Sequence, residues 1–257
     1  SDLHTPGNVQ DQEWEKLRTE YNSRPTSIGE EFDLREEDSW RKMRANYYGN
    51  ITLVDDAVGR IMDAIDDAGI ADDTILVFTS EHGDLLGTHG MMEMRTFYEE
   101  AAKVPMLIRA PMFNKVPRTI EGNFGQIDLV PTFLDLLDQE IPSDLQGTSK
   151  AAVIKGEASL DGNDVFMEHN GIGDRSLGTP AINMLNNMQW RSVVTADRWK
   201  LNLCATDQCE LFDLNNDPFE ETNLFNNDDQ KDRIRQMAAK IRMWQHFTDD
   251  DAPLPGV

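Results

Sequence analysis

The chain has little cysteine, two residues in 257, and little positive charge, 24 lysines and arginines against 47 aspartates and glutamates. Two cysteines cannot form a disulfide framework, and without neighbouring histidines they cannot supply a four-ligand zinc site. The net charge of -23 repels nucleic acid and anionic membrane surfaces, so neither is an expected partner. No run of 18 apolar residues occurs, and Ser1-Asp2-Leu3-His4-Thr5-Pro6 has neither the basic nor the apolar stretch of an export signal. No membrane span is expected within these residues, and the compartment stays open. Fifteen arginines against nine lysines on an acidic chain suit a protein bathed in high salt, and equally an ordinary acidic protein.

What is present reads as a globular α/β chain, with 39% hydrophobic and 8% aromatic residues. Residues 7–45 are polar and read as irregular chain with short helical turns. Between Tyr47 and Asp67, Ile51, Val54, Val58, Ile61, Met62 and Ile65 recur at steps of three and four, which predicts an amphipathic helix. Gly69 stops it, and Thr74–Thr79 is a short β-branched apolar run of the kind a parallel sheet buries on both faces. Val104–Arg109 predicts a second strand, and Gln126–Leu137 a helix with Pro131 near its first turn.

Beyond Gly147 the pattern changes to short strands, 164–168, 192–195, 199–203 and 210–213, followed by a helix over 230–247. The expected division is an α/β core portion, 1–150, and a small α+β subdomain, 151–257, with an antiparallel sheet and a packed terminal helix. Cys204 and Cys209 are separated by four residues, Ala-Thr-Asp-Gln, across a predicted hairpin; a disulfide and two reduced thiols are both open readings.

The chemistry concentrates after the first strand, in Thr79-Ser80-Glu81-His82-Gly83-Asp84-Leu85-Leu86-Gly87-Thr88-His89-Gly90. Ligands of open α/β sheets bind beyond the carboxyl ends of strands. A carboxylate next to an imidazole there can offer an oxygen and a nitrogen to one divalent cation, and glycines permit the sharp turns that present both. Asp84, His89 and the glycines read mainly as residues that shape this loop, and His169 and His246 as surface or packed histidines.

Ordered strings along the chain carry a resemblance. They are Tyr47–Ile51, Val54–Arg60, Thr79–Asp84 with Leu86–Gly90, Phe97–Glu100, Asp128–Thr132, Arg198–Leu201 and Glu210–Glu220 ending in Asn223-Leu224. Together they resemble the C-terminal part of a type I sulfatase, a family similar in fold to alkaline phosphatase. The resemblance implies a mixed α/β sheet flanked by helices, and hydrolysis of sulfate monoesters or sulfated sugars. It also implies a divalent metal, in this family calcium, and a formylglycine nucleophile.

Carried over by position, the resemblance makes Glu81 and His82 metal ligands, with Glu81 one methylene longer than the family's aspartate. It places Met94 where the family has a sulfate-contacting lysine, leaving Arg95 as the candidate substrate-binding cation. His4, in His4-Thr5-Pro6, falls where the family has a catalytic histidine. No Cys-x-Pro-x-Arg or Ser-x-Pro-x-Arg string occurs, so the nucleophile is expected on a segment preceding these residues and the chain is not expected to turn over alone. An incomplete sheet exposes an edge, so pairing with a second copy or a complementary N-terminal chain is expected. A sulfatase-like binding protein and a phosphoryl or phosphonate ester hydrolase of the same superfamily are the alternatives.

Overall fold

The computed structural model describes residues 37–90, 94, 96–171 and 187–257. The chain divides into two compact units, the first ending at Met112 and the second beginning at Phe113. The 150/151 division expected from the sequence therefore lies inside the second unit.

The first unit opens with helix α1, Glu37–Asp67. The helix starts ten residues before the apolar periodicity, so residues 37–45 are regular rather than irregular chain. Glu37 and Asp38 in the first turn suit the positive end of the helix dipole, and Glu37 also pairs with Arg41 one turn on, at 2.6 Å. The apolar stripe is present, but Ile51, Val54 and Ile61 stay about half exposed, and Trp40 is the buried residue of this helix.

Strand β1, Leu76–Thr79, follows a 3-10 turn at Ala71–Asp73. After a loop and a single helical turn, α2, Glu99–Ala102, the chain forms β2, Met106–Arg109. Pro105, which has no N–H to give a ladder, is left outside the strand. β1 and β2 pair antiparallel, Leu76 opposite Arg109 and Thr79 opposite Met106. The apolar run that suggested a parallel sheet covered on both faces is thus an antiparallel pair, and one directly opposed cross-strand pair, Phe78 and Leu107, remains open. Continuous apolar character does not distinguish strand direction.

The second unit begins its regular structure with a 3-10 turn, Gln126–Asp128, leading into helix α3, Leu129–Leu136. Pro131 lies in its first turn, where backbone N–H groups have no intrahelical partner. A short helix α4, Ala151–Lys155, ends on Gly156 in the left-handed conformation. Four strands follow, β3 (Val165–His169), β4 (Trp190–Val194), β5 (Trp199–Cys204) and β6 (Glu210–Asp213), antiparallel and in sequential order. Helix α5, Lys231–Thr248, lies against β4 and β5.

The core of this unit is legible from its periods. Ile234, Met237, Ala238 and Ile241 repeat at helical spacing and meet Val193, Leu201, Leu203, Cys209 and Leu211, which repeat at strand spacing. The opposite face of the sheet is buried too and mixes Val194 and Phe212 with polar residues: Ser192 Oγ donates to Asn202 Oδ1 at 2.6 Å, and Asn202 Nδ2 donates to Glu210 Oε2 at 3.0 Å. These three residues are direct cross-strand neighbours. Lys200, also on this face, pairs with Glu220 at 2.8 Å with both side chains fully enclosed.

Cys204 and Cys209 are both free and buried. Strand register explains this: Cys209 shares the helix-facing side with Leu203, whereas Cys204 shares the other side with Asn202 and Lys200. The hairpin brings the two residues close in the sheet but points their thiols apart, and of the two open readings the structure has reduced thiols.

Candidate active site

β1 ends at Thr79, and the next residues turn at once. Ser80 Oγ donates to the carbonyl of His82 at 2.8 Å, which folds the backbone around Glu81. His82 Nδ1 lies 2.8 Å from the Gly83 carbonyl, an acceptor. Nδ1 must therefore carry the proton, and in the neutral ring Nε2 is left as an electron-pair donor. That nitrogen is 3.6 Å from Glu81 Oε1. The Glu81 side chain is 82% exposed and that of His82 40% exposed, so the pair opens to solvent.

The loop behind this pair is fixed from several sides. Gly83 N–H donates to the Ala101 carbonyl at 2.8 Å. A Cβ at Gly83 would lie 1.9 Å from the Glu100 carbonyl oxygen, so the absence of a side chain is what lets the loop backbone meet α2. Asp84 Oδ1 accepts from Leu86 N at 2.9 Å, and Arg44 of α1 donates through Nε to the Leu86 carbonyl at 2.8 Å. Leu85 is almost fully buried.

His89 closes the loop. It is 3% exposed, has a positive φ of 54°, and its ring stacks on Tyr98 with centroids 3.6 Å apart and planes 4° from parallel. Its Nε2 is 3.7 Å from Glu100 Oε2. The loop-shaping role read for Asp84, His89 and the glycines is the one these contacts give them. Tyr98, Glu100 and Ala101 were not singled out as site residues from sequence, because their part lies in backbone and ring contacts across a turn that no spacing rule encodes.

Glu81 and His82 are therefore brought together. Met94 is 37% exposed. Arg95 and His4, the candidate substrate-binding and catalytic residues, lie outside the described residues. Among the described residues no cluster of three or more histidines, cysteines, aspartates or glutamates has the arrangement of a complete metal site. Two donors that could share one cation are what this stretch offers.

Two family models match, the sulfatase model over residues 3–139 and that of the C-terminal part of N-sulphoglucosamine sulphohydrolase over residues 87–246. The chain belongs to the sulfatase family. Among curated relatives this sulfatase chain is 27% identical over 230 residues to the N-acetylglucosamine-6-O-sulfatase of Bacteroides thetaiotaomicron, a match that covers 84% of this chain and 38% of that protein. The solved structure of BT4656 in complex with its substrate D-glucosamine-2-N,6-O-disulfate superposes with a TM-score of 0.74 at 26% identity, covering 84% of this chain and 42% of that one. The phosphonate monoester hydrolase of Agrobacterium radiobacter gives a TM-score of 0.70 at 27% identity, covering 82% and 42%.

The fold is thus that of the alkaline-phosphatase superfamily, as the sequence implied. The sulfatase chain spans about two-fifths of the length of the first relatives it matches. No described helix is long and apolar enough to cross a membrane.

Proposed function

We propose that the protein carrying these residues hydrolyses sulfate monoesters, with a sulfated sugar as the substrate class, and that Glu81 and His82 hold a divalent cation beside the reacting group. The observation that carries this reading is the Glu81–His82 pair itself. A carboxylate oxygen and an imidazole nitrogen lie 3.6 Å apart at the end of a strand, in a sulfatase-family chain, with the proton on the other nitrogen. One cation can span that gap with bonds of about 2.0–2.6 Å. The sugar follows from relatives, one named for N-acetylglucosamine-6-O-sulfate and one solved with a disulfated glucosamine.

The donor set fits a divalent ion. Calcium is the family expectation and accounts for the carboxylate, while the imidazole adds a preference for manganese or zinc, so all three belong in a titration. Bound there, such an ion supplies Lewis-acid polarisation of the ester oxygens. The chain's own residues hold the loop: the Gly83 carbonyl fixes the His82 tautomer, Ser80 folds the backbone that carries Glu81, and α2 supports Gly83. The nucleophile of this reading is a formylglycine outside the 257 residues, because they contain neither a Cys-x-Pro-x-Arg nor a Ser-x-Pro-x-Arg string. Without it these residues turn over no substrate by themselves.

Phosphonate monoester hydrolysis is the second reading, supported by the similarity to a phosphonate monoester hydrolase. The experiment compares release of sulfate from an aryl sulfate, and of alcohol from an aryl phosphonate, by the natural protein. Faster turnover of the sulfate ester supports the first reading and faster turnover of the phosphonate the second. Turnover of neither, with binding of sulfated sugar retained, points to the binding protein that Met94 in the lysine position would permit.

A further inference from the structure

We infer that His89 is a positioning residue for His82, acting through the single helical turn Glu99–Ala102. The inference deepens the metal reading above, but its structural core is independent of any bound ion. His89 has a cost that the fold must offset: a non-glycine residue in the left-handed region, and a buried Nδ1 with no hydrogen-bond partner among the described residues. A strained, under-satisfied side chain in a loop is retained when it holds something else in place. What it holds is visible. Its ring lies flat on Tyr98, the residue immediately before α2, and its Nε2 approaches Glu100 within α2.

The helical turn so held is the surface against which Gly83 rests. Gly83 N–H donates to Ala101, and the Glu100 carbonyl occupies the space a Gly83 side chain would need. The carbonyl of the same Gly83 accepts the His82 Nδ1 proton. A shift of α2 therefore moves the Gly83 backbone on both sides of its Cα, and the direction of the Gly83 carbonyl decides whether the lone pair of His82 is presented on Nε2, beside Glu81. The path runs from His89 to α2, to Gly83, to His82, with a direct contact at each step.

The test is NMR on the 257-residue chain at about pH 8, above the usual imidazole range. Asn tolerates the left-handed backbone, so His89→Asn removes the ring without adding strain. We expect amide exchange at Gly83 to rise about tenfold and His82 to populate both neutral tautomers in long-range proton–nitrogen spectra, while β1 and β2 amides keep wild-type protection. Tyr98→Leu removes the ring that His89 stacks on and should act in the same direction. Unchanged Gly83 exchange and an unchanged His82 tautomer in both variants would overturn the inference. Loss of β1–β2 protection in both would also overturn it, by making His89 a residue of general stability. Titrating calcium, manganese and zinc into the natural protein separates the two ideas, because failure to bind any ion there removes the metal reading and leaves the coupling of His89 to His82 intact.

Discussion

Replacing Lys200 by Met leaves the Glu220 carboxylate enclosed without its cation. Both side chains are 0% exposed and their charged atoms are 2.8 Å apart, between β5 and the turn that follows β6. Lys200 sits opposite Val194 and Phe212 in the sheet, both buried, so no solvent path is near. Breaking such a pair costs about 3–5 kcal/mol, a large share of the roughly 5–15 kcal/mol that holds a domain folded. Taking both partners out together is different: replacing Lys200 by Met and Glu220 by Leu removes the uncompensated charge and should recover all but about 1–2 kcal/mol. Urea unfolding of the 257-residue chain, followed by tryptophan fluorescence, measures this, with Trp199 next to Lys200 in β5. A loss below about 1 kcal/mol for Lys200→Met, or a double variant as unstable as the single one, would refute the argument that the pair matters through mutual neutralisation.

Three further outcomes follow from particular contacts. Gly83→Ala would drive a Cβ to 1.9 Å from the Glu100 carbonyl, so the loop must shift; the Gly83 amide should lose protection in hydrogen exchange and divalent-cation binding should weaken about tenfold or more. Asp250 makes two 2.6 Å contacts with buried Arg191 and accepts from Gln245, and the Arg191 hydrogen bond holds its carboxyl well below the usual carboxylate range. A depressed carboxylate contributes stability that is fully present above the unfolded range near pH 4 and lost as pH falls below it, so Asp250→Asn should flatten the acid limb of a stability–pH curve measured by urea unfolding. Burial raises the Cys209 thiol pKa, so alkylation of the folded chain should be slow, and non-reducing unfolding should release two free thiols by mass spectrometry, with no disulfide-linked peptide.

The second unit was the more legible half. Its strands are short and end at polar turns, and Glu210–Asp213 falls where the pattern put it. Both faces being buried did not spoil the reading, because the polar residues of the second face, such as Ser192 and Asn202, are satisfied by cross-strand partners. The first unit was harder. The α1 stripe predicted a covered helix face, yet Ile51, Val54 and Ile61 of that stripe are exposed, and strand direction was misread because β1 is apolar at consecutive positions. Periodicity records which residues are apolar and not what covers them.

At the site, the adjacency of Glu81 and His82 was readable because the two are neighbours in sequence at a strand end. The His82 tautomer was not, since it depends on where the Gly83 carbonyl points. The stacking of His89 on Tyr98 was not readable either, because it joins residues nine apart across a loop with no regular period. The loop-shaping role assigned to His89 nonetheless anticipated that it packs within this loop, against Tyr98 and Glu100.

The central claim is that Glu81 and His82 hold the cation on which sulfate-ester hydrolysis depends. The most direct measurement is sulfate release by the natural protein after chelation and metal add-back, for the wild type beside Glu81→Gln and His82→Ala. The account predicts that chelation abolishes release, that calcium, manganese or zinc restores it in the wild type, and that neither variant recovers at the same metal concentration. Release that survives chelation, or variants that recover as the wild type does, would contradict it.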